Sequence, residues 1–154
     1  MKKEIKKSIG IISFILLIIL LISNFILVKN MNAFSALLTM NILPIFLVSV
    51  FLACISCSLN LQKLQKIILN FCSSAIYSLV FYFYIKNLYN SQNKKIIINN
   101  TKKFAAAAHD LDVSNISFDV NFSSAFMIFC AVFVITILIS FFISKKENIK
   151  KNVS

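Results

Sequence analysis

Four stretches of the chain consist almost wholly of apolar residues, and polar or charged segments separate them. The stretches cover residues 9–28, 42–59, 67–85 and 125–144. A helix of about 20 residues is about 30 Å long, which matches the apolar core of a bilayer. Because lipid offers no partner to backbone N–H and C=O groups, each stretch must close its own hydrogen bonds as a helix. The pattern predicts an all-α membrane protein with four transmembrane helices in an antiparallel bundle.

The segments between the stretches differ in length. Residues 60–66 form a tight connection, which predicts an antiparallel hairpin of the second and third helices, whereas residues 29–41 form a longer connection. Pro44 falls in the first turn of the second predicted helix, where its missing N–H costs nothing. Residues 86–124 form the longest loop, and residues 145–154 form a basic tail. The whole chain is predicted to be one membrane domain.

The long loop has a pattern of its own. Residues 101–111 contain four alanines in a row, which predicts a short helix. Residues 116–122 alternate apolar and polar side chains, which predicts a short strand, and residues 96–98 are a second β-prone run. Two interpretations fit: an ordered cap on the membrane surface, or a flexible connector whose apolar residues rest in the interface.

The first apolar stretch follows the basic start MKKEIKK, a pattern that is also typical of a secretory signal peptide. The stretch is longer than the usual apolar core of such a peptide. No clean A-x-A cleavage site follows it, because Ala33 and Ala36 have bulky residues two positions upstream. These features favour an uncleaved first transmembrane helix.

The composition agrees with a membrane location. Hydrophobic residues make up 59% of the chain and charged residues only 14%, whereas soluble domains carry about 25% charged residues. The net charge of +11 is also found in nucleic-acid-binding proteins. Here the lysines lie at the ends of the apolar stretches and not along one surface, so the charge indicates membrane topology and no nucleic-acid partner.

The distribution of lysines predicts the orientation, because cytoplasmic segments of membrane proteins are enriched in basic residues. If both ends are cytoplasmic, the inner segments hold ten lysines and the longer outer segments hold six. The three aspartates, Asp110, Asp112 and Asp119, then lie in the outer loop. We expect a protein of the cell membrane with cytoplasmic N- and C-termini.

The apolar stretches contain no Asp, Glu, Lys, Arg or His. Ionisable side chains inside a membrane usually mark proton relays or ion paths, so a carboxylate-driven antiporter is disfavoured. His109, Asp110 and Asp112 are interpreted as a solvated turn and not as a metal site. We find no phosphate-binding loop or nucleophile motif. The sequence therefore predicts no catalytic site, no cofactor and no metal.

Cys54 and Cys57 form a C-x-x-C motif one helical turn apart, and Cys72 is expected at nearly the same depth in the hairpin. A thiol redox function is one hypothesis, since four spans with a C-x-x-C resemble the plan of disulfide-forming membrane oxidases. Those enzymes need thiols on the outer side and a second pair in an outer loop. Here the motif lies towards the inner end, which favours cysteine as a small packing residue.

Small residues recur at helical spacing in three of the predicted helices. Such stripes let helices approach closely in lipid, where packing and interhelical hydrogen bonds drive association. The candidate helix-packing residues are Ser49, Ala53, Cys57, Ser74, Ser78, Thr136 and Ser140.

The leading hypothesis is a non-catalytic membrane component that associates with other membrane proteins or with itself. A second hypothesis is a small transporter or pore subunit. Its polar lining would consist of Asn24, Asn70, Ser74 and Tyr77. Convergence of these four side chains on one wet cavity would favour the second hypothesis.

Overall fold

The computed structural model describes residues 3–59, 61–107 and 120–151, and every regular element in these residues is helical. The elements are α1 (Lys3–Leu27), a 3₁₀ turn (Val28–Asn30), α2 (Ala33–Leu37), a π-helical turn (Leu38–Ile42), α3 (Leu43–Ser58), α4 (Lys63–Leu88), α5 (Ser91–Ala107) and α6 (Phe122–Lys151).

Four helical segments are long and apolar enough to cross a membrane: Lys3–Asn30, Ala33–Ser58, Lys63–Leu88 and Phe122–Lys145. This confirms the predicted all-helical class and the number of apolar helices. Three segments contain a predicted stretch and extend beyond it, whereas Ala33–Ser58 begins before the stretch 42–59 and ends one residue short of it. The apolar pattern predicts the part of each helix that can lie in lipid. The helix itself continues until capping groups satisfy its terminal backbone groups.

The largest extension is at the start of the second apolar segment. The sequence predicted a connection over residues 29–41, but the helix begins at Ala33. Asn32 Oδ1 accepts a hydrogen bond from the Ser35 N–H at 2.9 Å, and Ser35 Oγ accepts one from the Asn32 N–H at 3.0 Å. These two bonds satisfy backbone donors at the helix start. The connection after the 3₁₀ turn is therefore only residues 31–32.

Pro44 lies in the first turn of α3, as predicted, but α3 continues the helix that begins at Ala33, and the π-helical turn explains how Pro44 is accommodated. The Leu43 N–H donates to the Leu38 carbonyl, so it does not serve the Thr39 carbonyl. Pro44 has no N–H to donate either. Asn24 of α1 fills the gap, since its Nδ2 donates to the Thr39 carbonyl at 3.0 Å.

Helix α3 packs mainly against α1 and α6, and α4 packs mainly against α6. Thus α3 and α4 follow each other closely in the chain but contact α6 more than they contact each other. The approach of α1 to α3 depends on Gly10, the only glycine in the chain. A Cβ atom at Gly10 would lie 3.3 Å from Cys54 Cβ, so a larger residue would push the two helices apart.

The long loop contains one helix, α5, that is longer than the sequence predicted. It includes residues 96–98, so this β-prone run is helical. Asn90 Oδ1 caps its start by accepting from the Gln92 and Asn93 N–H groups. The end of the helix predicted over 101–111 and most of the strand predicted over 116–122 lie outside the described residues. Val120 and Asn121 have no regular structure, and Phe122 begins α6.

Helix α5 is an ordered cap on the connection between α1 and α2. Its buried side chains Ile97, Thr101 and Ala105 share one helical face. Asn100 Nδ2 donates to the carbonyls of Lys29 and Met31 at 3.0 Å each. Thr101 Oγ1 accepts from the Ala33 N–H at 2.7 Å. We call the region of α5 and this connection the capped end.

The opposite end of the structure consists of the start of α1, the end of α3, the start of α4 and the last apolar turns of α6. Lys6, Lys63, Lys66 and Lys145 lie there, and we call it the basic end. Contacts across it link Lys6 to Cys57 and Cys57 to Ser140.

Candidate functional site

Small side chains form the contact between α3 and α6. Ser49 and Ala53 are fully buried, and Cys57 is half-buried. Ser49 Oγ donates to the Ile45 carbonyl of its own helix at 2.7 Å and lies 3.4 Å from the Val132 carbonyl of α6. About two turns further along α3, Cys57 Sγ lies 3.8 Å from the Ser140 carbonyl. The α3 stripe predicted from the sequence thus faces α6.

The other predicted packing residues are on α4 and α6. Ser74 and Thr136 are fully buried, Ser78 is 4% exposed, and Ser140 is half-buried. Ser78 Oγ donates to the Ala75 carbonyl of its own helix at 2.9 Å. The structure therefore places all seven candidates away from the fully exposed surface, and their role in helix association stays a prediction.

Several hydroxyl groups on α4 and α6 are buried without a partner. Within the described part of the chain, no hydrogen bond reaches Ser74 Oγ, Tyr77 OH, Thr136 Oγ1 or Ser140 Oγ. A buried polar atom without a partner costs about 1–3 kcal/mol. Such atoms are therefore candidates for a role other than stabilising the chain by itself.

A cavity of about 510 Å³ opens between α3, α4 and α6 at the basic end. We call it the basic-end cavity. Apolar side chains form much of its wall, together with two lysines and several small polar side chains. Its lining residues are Ser56, Cys57, Leu61, Lys63, Lys66, Ile67, Asn70, Ile137, Ser140, Phe141 and Ser144.

Several polar groups in this cavity have no partner within the described residues, whereas Ser56 and Cys57 donate to backbone carbonyls. The Asn70 side chain is only 2% exposed, yet it makes no hydrogen bond there. The amino groups of Lys63, which is exposed, and Lys66, which is half-buried, form no ion pair in the same residues. Ser140 Oγ adds an unpaired hydroxyl. The cavity can therefore offer cationic groups and hydrogen-bond donors to an anion.

Lys6 is a residue whose position the sequence analysis missed. It is 5% exposed, and its Nζ donates to the Cys57 carbonyl at 3.2 Å, in the last turn of α3. A cation at this point offsets the partial negative charge of a helix C-terminus. The sequence contains a signal for this position, because the spacing of Lys6, Gly10, Ser13 and Leu17 places them on one helical face of α1. All four residues are buried.

A second concavity, of about 260 Å³, lies between α4 and α6 nearer the capped end. We call it the α4–α6 groove. Small residues and phenylalanines line it, and its surface is almost wholly apolar. The lining residues are Phe71, Ala75, Ser78, Leu79, Phe122, Ala125, Phe126 and Phe129. Phe71 makes an edge contact with Phe129 at a centroid distance of 5.1 Å, which holds the wall of the groove in place.

Cys72 does not join the C-x-x-C motif, as the redox hypothesis had it. Cys54 is 2% exposed beside Gly10 of α1, whereas Cys72 is exposed on α4. All four cysteines are free thiols. Among the described residues, no three side chains of His, Cys, Asp and Glu form a group that could hold a metal ion. His109, Asp110 and Asp112 lie outside those residues.

Neither the basic-end cavity nor the α4–α6 groove brings together the four polar side chains proposed as a transport lining. Asn70 lines the basic-end cavity, whereas Asn24, Ser74 and Tyr77 line neither that cavity nor the α4–α6 groove. Asn24 belongs to a paired group at the capped end. There Tyr84 OH donates to the Leu21 carbonyl at 3.0 Å, and Asn41 Nδ2 donates to Tyr89 OH at 3.2 Å. Burial raises the pKa of Tyr89, and the bond from Asn41 acts against this rise.

The geometry defines a class of protein: an all-helical chain with four helices of the length and apolarity of membrane spans, as in a multi-pass membrane protein. Comparisons of the chain with protein-family models, curated proteins and solved structures found no match. The function is therefore argued from the residues of the chain itself.

Proposed function

We propose that the chain is an integral membrane protein whose four apolar helices cross the bilayer as an antiparallel bundle, and that it acts by associating with another membrane protein and not by catalysis. The length and apolarity of the helices support the membrane location. The α4–α6 groove supports the association, and it is the single observation on which that part of the proposal rests.

The groove has the form that a partner helix needs. Ala75, Ser78 and Ala125 leave space between α4 and α6, and phenylalanines border this space. In lipid, helices gain little from burying apolar surface, so close packing of small residues against a neighbouring side chain drives their association. An open groove with small residues provides such packing for a side chain from another helix.

A pair of variants tests the association. Ala75→Phe fills the groove, whereas Ile76→Phe places the same side chain at the next residue, which is 64% exposed. After crosslinking in native membranes and purification of the tagged chain, we expect a fixed partner with wild type and with Ile76→Phe. The Ala75→Phe variant should lose this partner. Recovery of the chain alone, or equal recovery with both variants, would contradict the proposal.

We further propose that both termini lie in the cytoplasm and that the membrane is the cell membrane. The clustering of Lys6, Lys63, Lys66 and Lys145 at one end supports this orientation, because basic residues near span ends are retained on the cytoplasmic side. The capped end would then face outward.

Single cysteines test this orientation in a background whose native cysteines are replaced by serine. Lys63→Cys and Lys95→Cys place exposed thiols at the basic end and on α5. A membrane-impermeant maleimide added to intact cells should label only Lys95→Cys. Labelling of Lys63→Cys alone would reverse the orientation, and equal labelling of both would contradict the four-span topology.

A further inference from the structure

We propose that the basic-end cavity binds the headgroup of an anionic phospholipid. This inference rests on the proposed placement of the four helices in a membrane, but it does not depend on the proposed partner protein. The cavity combines cationic, hydrogen-bonding and apolar groups, and each group matches one part of such a lipid.

The cationic part is formed by Lys63 and Lys66, which stand in the first turn of α4. The start of a helix carries a partial positive charge, so it favours a phosphate in the same place as the two amino groups. The end of α3 carries the opposite partial charge, but Lys6 Nζ binds the Cys57 carbonyl there and offsets it. The field in the cavity therefore favours an anion.

The hydrogen-bonding part comes from buried groups that the described chain leaves unpaired. Asn70 is 2% exposed and lines the cavity, and its amide makes no hydrogen bond within the described residues. Ser140 Oγ lines the same cavity and also lacks a partner there. A phosphate oxygen accepts hydrogen bonds from both an amide and a hydroxyl, so one ligand would satisfy both groups.

The apolar part distinguishes a lipid from a free phosphate ion. Ile67, Ile137 and Phe141 line the cavity beside the polar groups. A volume of about 510 Å³ falls within the roughly 300–1,000 Å³ of small-ligand sites. A free phosphate would use only the polar wall, whereas a lipid would also place the start of an acyl chain against the apolar wall. Basic pockets between membrane helices on the cytoplasmic side are a known form of such sites.

The test uses the full chain purified in a neutral detergent and titrated with dioleoyl phosphatidylglycerol or dioleoyl phosphatidylcholine, which share their acyl chains. Binding is read from the rise in Tm with lipid concentration, since a ligand of the folded state stabilises it. We expect a clear rise with the anionic lipid and little with the zwitterionic lipid. An equal rise with both lipids would overturn the assignment.

Charge variants test the location of the site. Lys63→Gln with Lys66→Gln should weaken the apparent affinity by roughly 30-fold, at the strength of one lysine–headgroup attraction for each residue removed. Lys3→Gln with Lys7→Gln removes the same charge from exposed positions of α1 at the same end and should have no effect. Equal effects of the two pairs would show non-specific attraction and overturn the proposal.

Further experiments test the cavity itself and distinguish a lipid from a soluble phosphate. Ser144→Phe places a ring at an exposed lining position with all lysines intact, and it should lower binding of the anionic lipid to the level of the zwitterionic one. Retained binding would overturn the site even if the lysine variants misfold.

sn-Glycerol 3-phosphate should not compete with the anionic lipid for binding, and full competition would identify a soluble phosphate as the ligand instead. Partner recovery by Lys63→Gln with Lys66→Gln should stay normal, so the lipid site and the association can fail separately.

Discussion

Two buried asparagines, one at each end of the molecule, differ in their hydrogen bonding. At the capped end, Asn24 is 1% exposed and donates to the Thr39 carbonyl. At the basic end, Asn70 is 2% exposed and makes no hydrogen bond within the described residues. The two side chains are chemically identical and equally buried. The difference indicates that Asn24 helps to hold the fold at the capped end, whereas Asn70 in the basic-end cavity is left available to a ligand.

The basic end is not loose throughout, because α1 and α3 approach closely there. We expect Gly10→Leu to lower the free energy of unfolding by about 3 kcal/mol, since its side chain has no room beside Cys54. Ser8→Leu, at an exposed position of the same helix, is the control and should be near neutral. Equilibrium unfolding in mixed micelles measures both. Similar values would mean that the contact at Gly10 is not tight and that the cavity is part of a generally open end.

The pairing at the capped end makes Asn24 the next most sensitive position. Asn24→Leu leaves the Thr39 carbonyl without a donor in an apolar surrounding, and we expect a loss of about 2 kcal/mol in unfolding free energy. The double variant that combines Asn24→Leu with Pro44→Ala has a new backbone N–H near that carbonyl. It should recover part of the loss. If Pro44→Ala gives no recovery, the role assigned to the π-helical turn is wrong.

The contacts of α5 at the capped end should contribute less to the free energy of unfolding. Asn100→Ala removes the two hydrogen bonds to the Lys29 and Met31 carbonyls, and we expect a loss of about 1 kcal/mol and faster cleavage of α5 by added protease. Asn99→Ala changes the neighbouring exposed residue and serves as the control. If both variants are cleaved at the same rate, Asn100 does not hold α5 on the connection between α1 and α2.

The smallest effect is expected where a polar group has no partner. Asn70→Leu should change the unfolding free energy in lipid-free detergent by less than about 0.5 kcal/mol, or should raise it, because no hydrogen bond is lost. Chemical denaturation beside wild type measures this. A loss as large as that of Asn24→Leu would show that Asn70 has a structural partner, and the contrast between the two ends would disappear.

The sequence predicted the four apolar helices because the absence of water dictates both their length and their backbone pairing. It did not predict where the helices begin and end. The start at Ala33 depends on the reciprocal bonds of Asn32 and Ser35, which apolarity does not record. The run 96–98 was assigned β character from its isoleucines, but burial of Ile97 with Thr101 and Ala105 against the capped end stabilises a helix.

The candidate site was predictable only in part. The stripe of Ser49, Ala53 and Cys57 could be recognised from helical spacing, and the structure places it towards α6. In the sequence, the lysines at residues 63 and 66 indicate only the topology of the chain. Whether Asn24 or Asn70 is paired depends on which carbonyl the neighbouring helix presents, and that information comes from packing and not from either helix alone.

The most direct test of this account compares Asn24→Leu with Asn70→Leu, each unfolded with and without dioleoyl phosphatidylglycerol. We predict that Asn24→Leu is destabilised by the same amount in both conditions and keeps the stabilisation that the lipid provides. Asn70→Leu should match wild type without lipid and lose most of that stabilisation when lipid is present. Equal destabilisation of both variants without lipid, or an undiminished lipid effect in Asn70→Leu, would contradict the account.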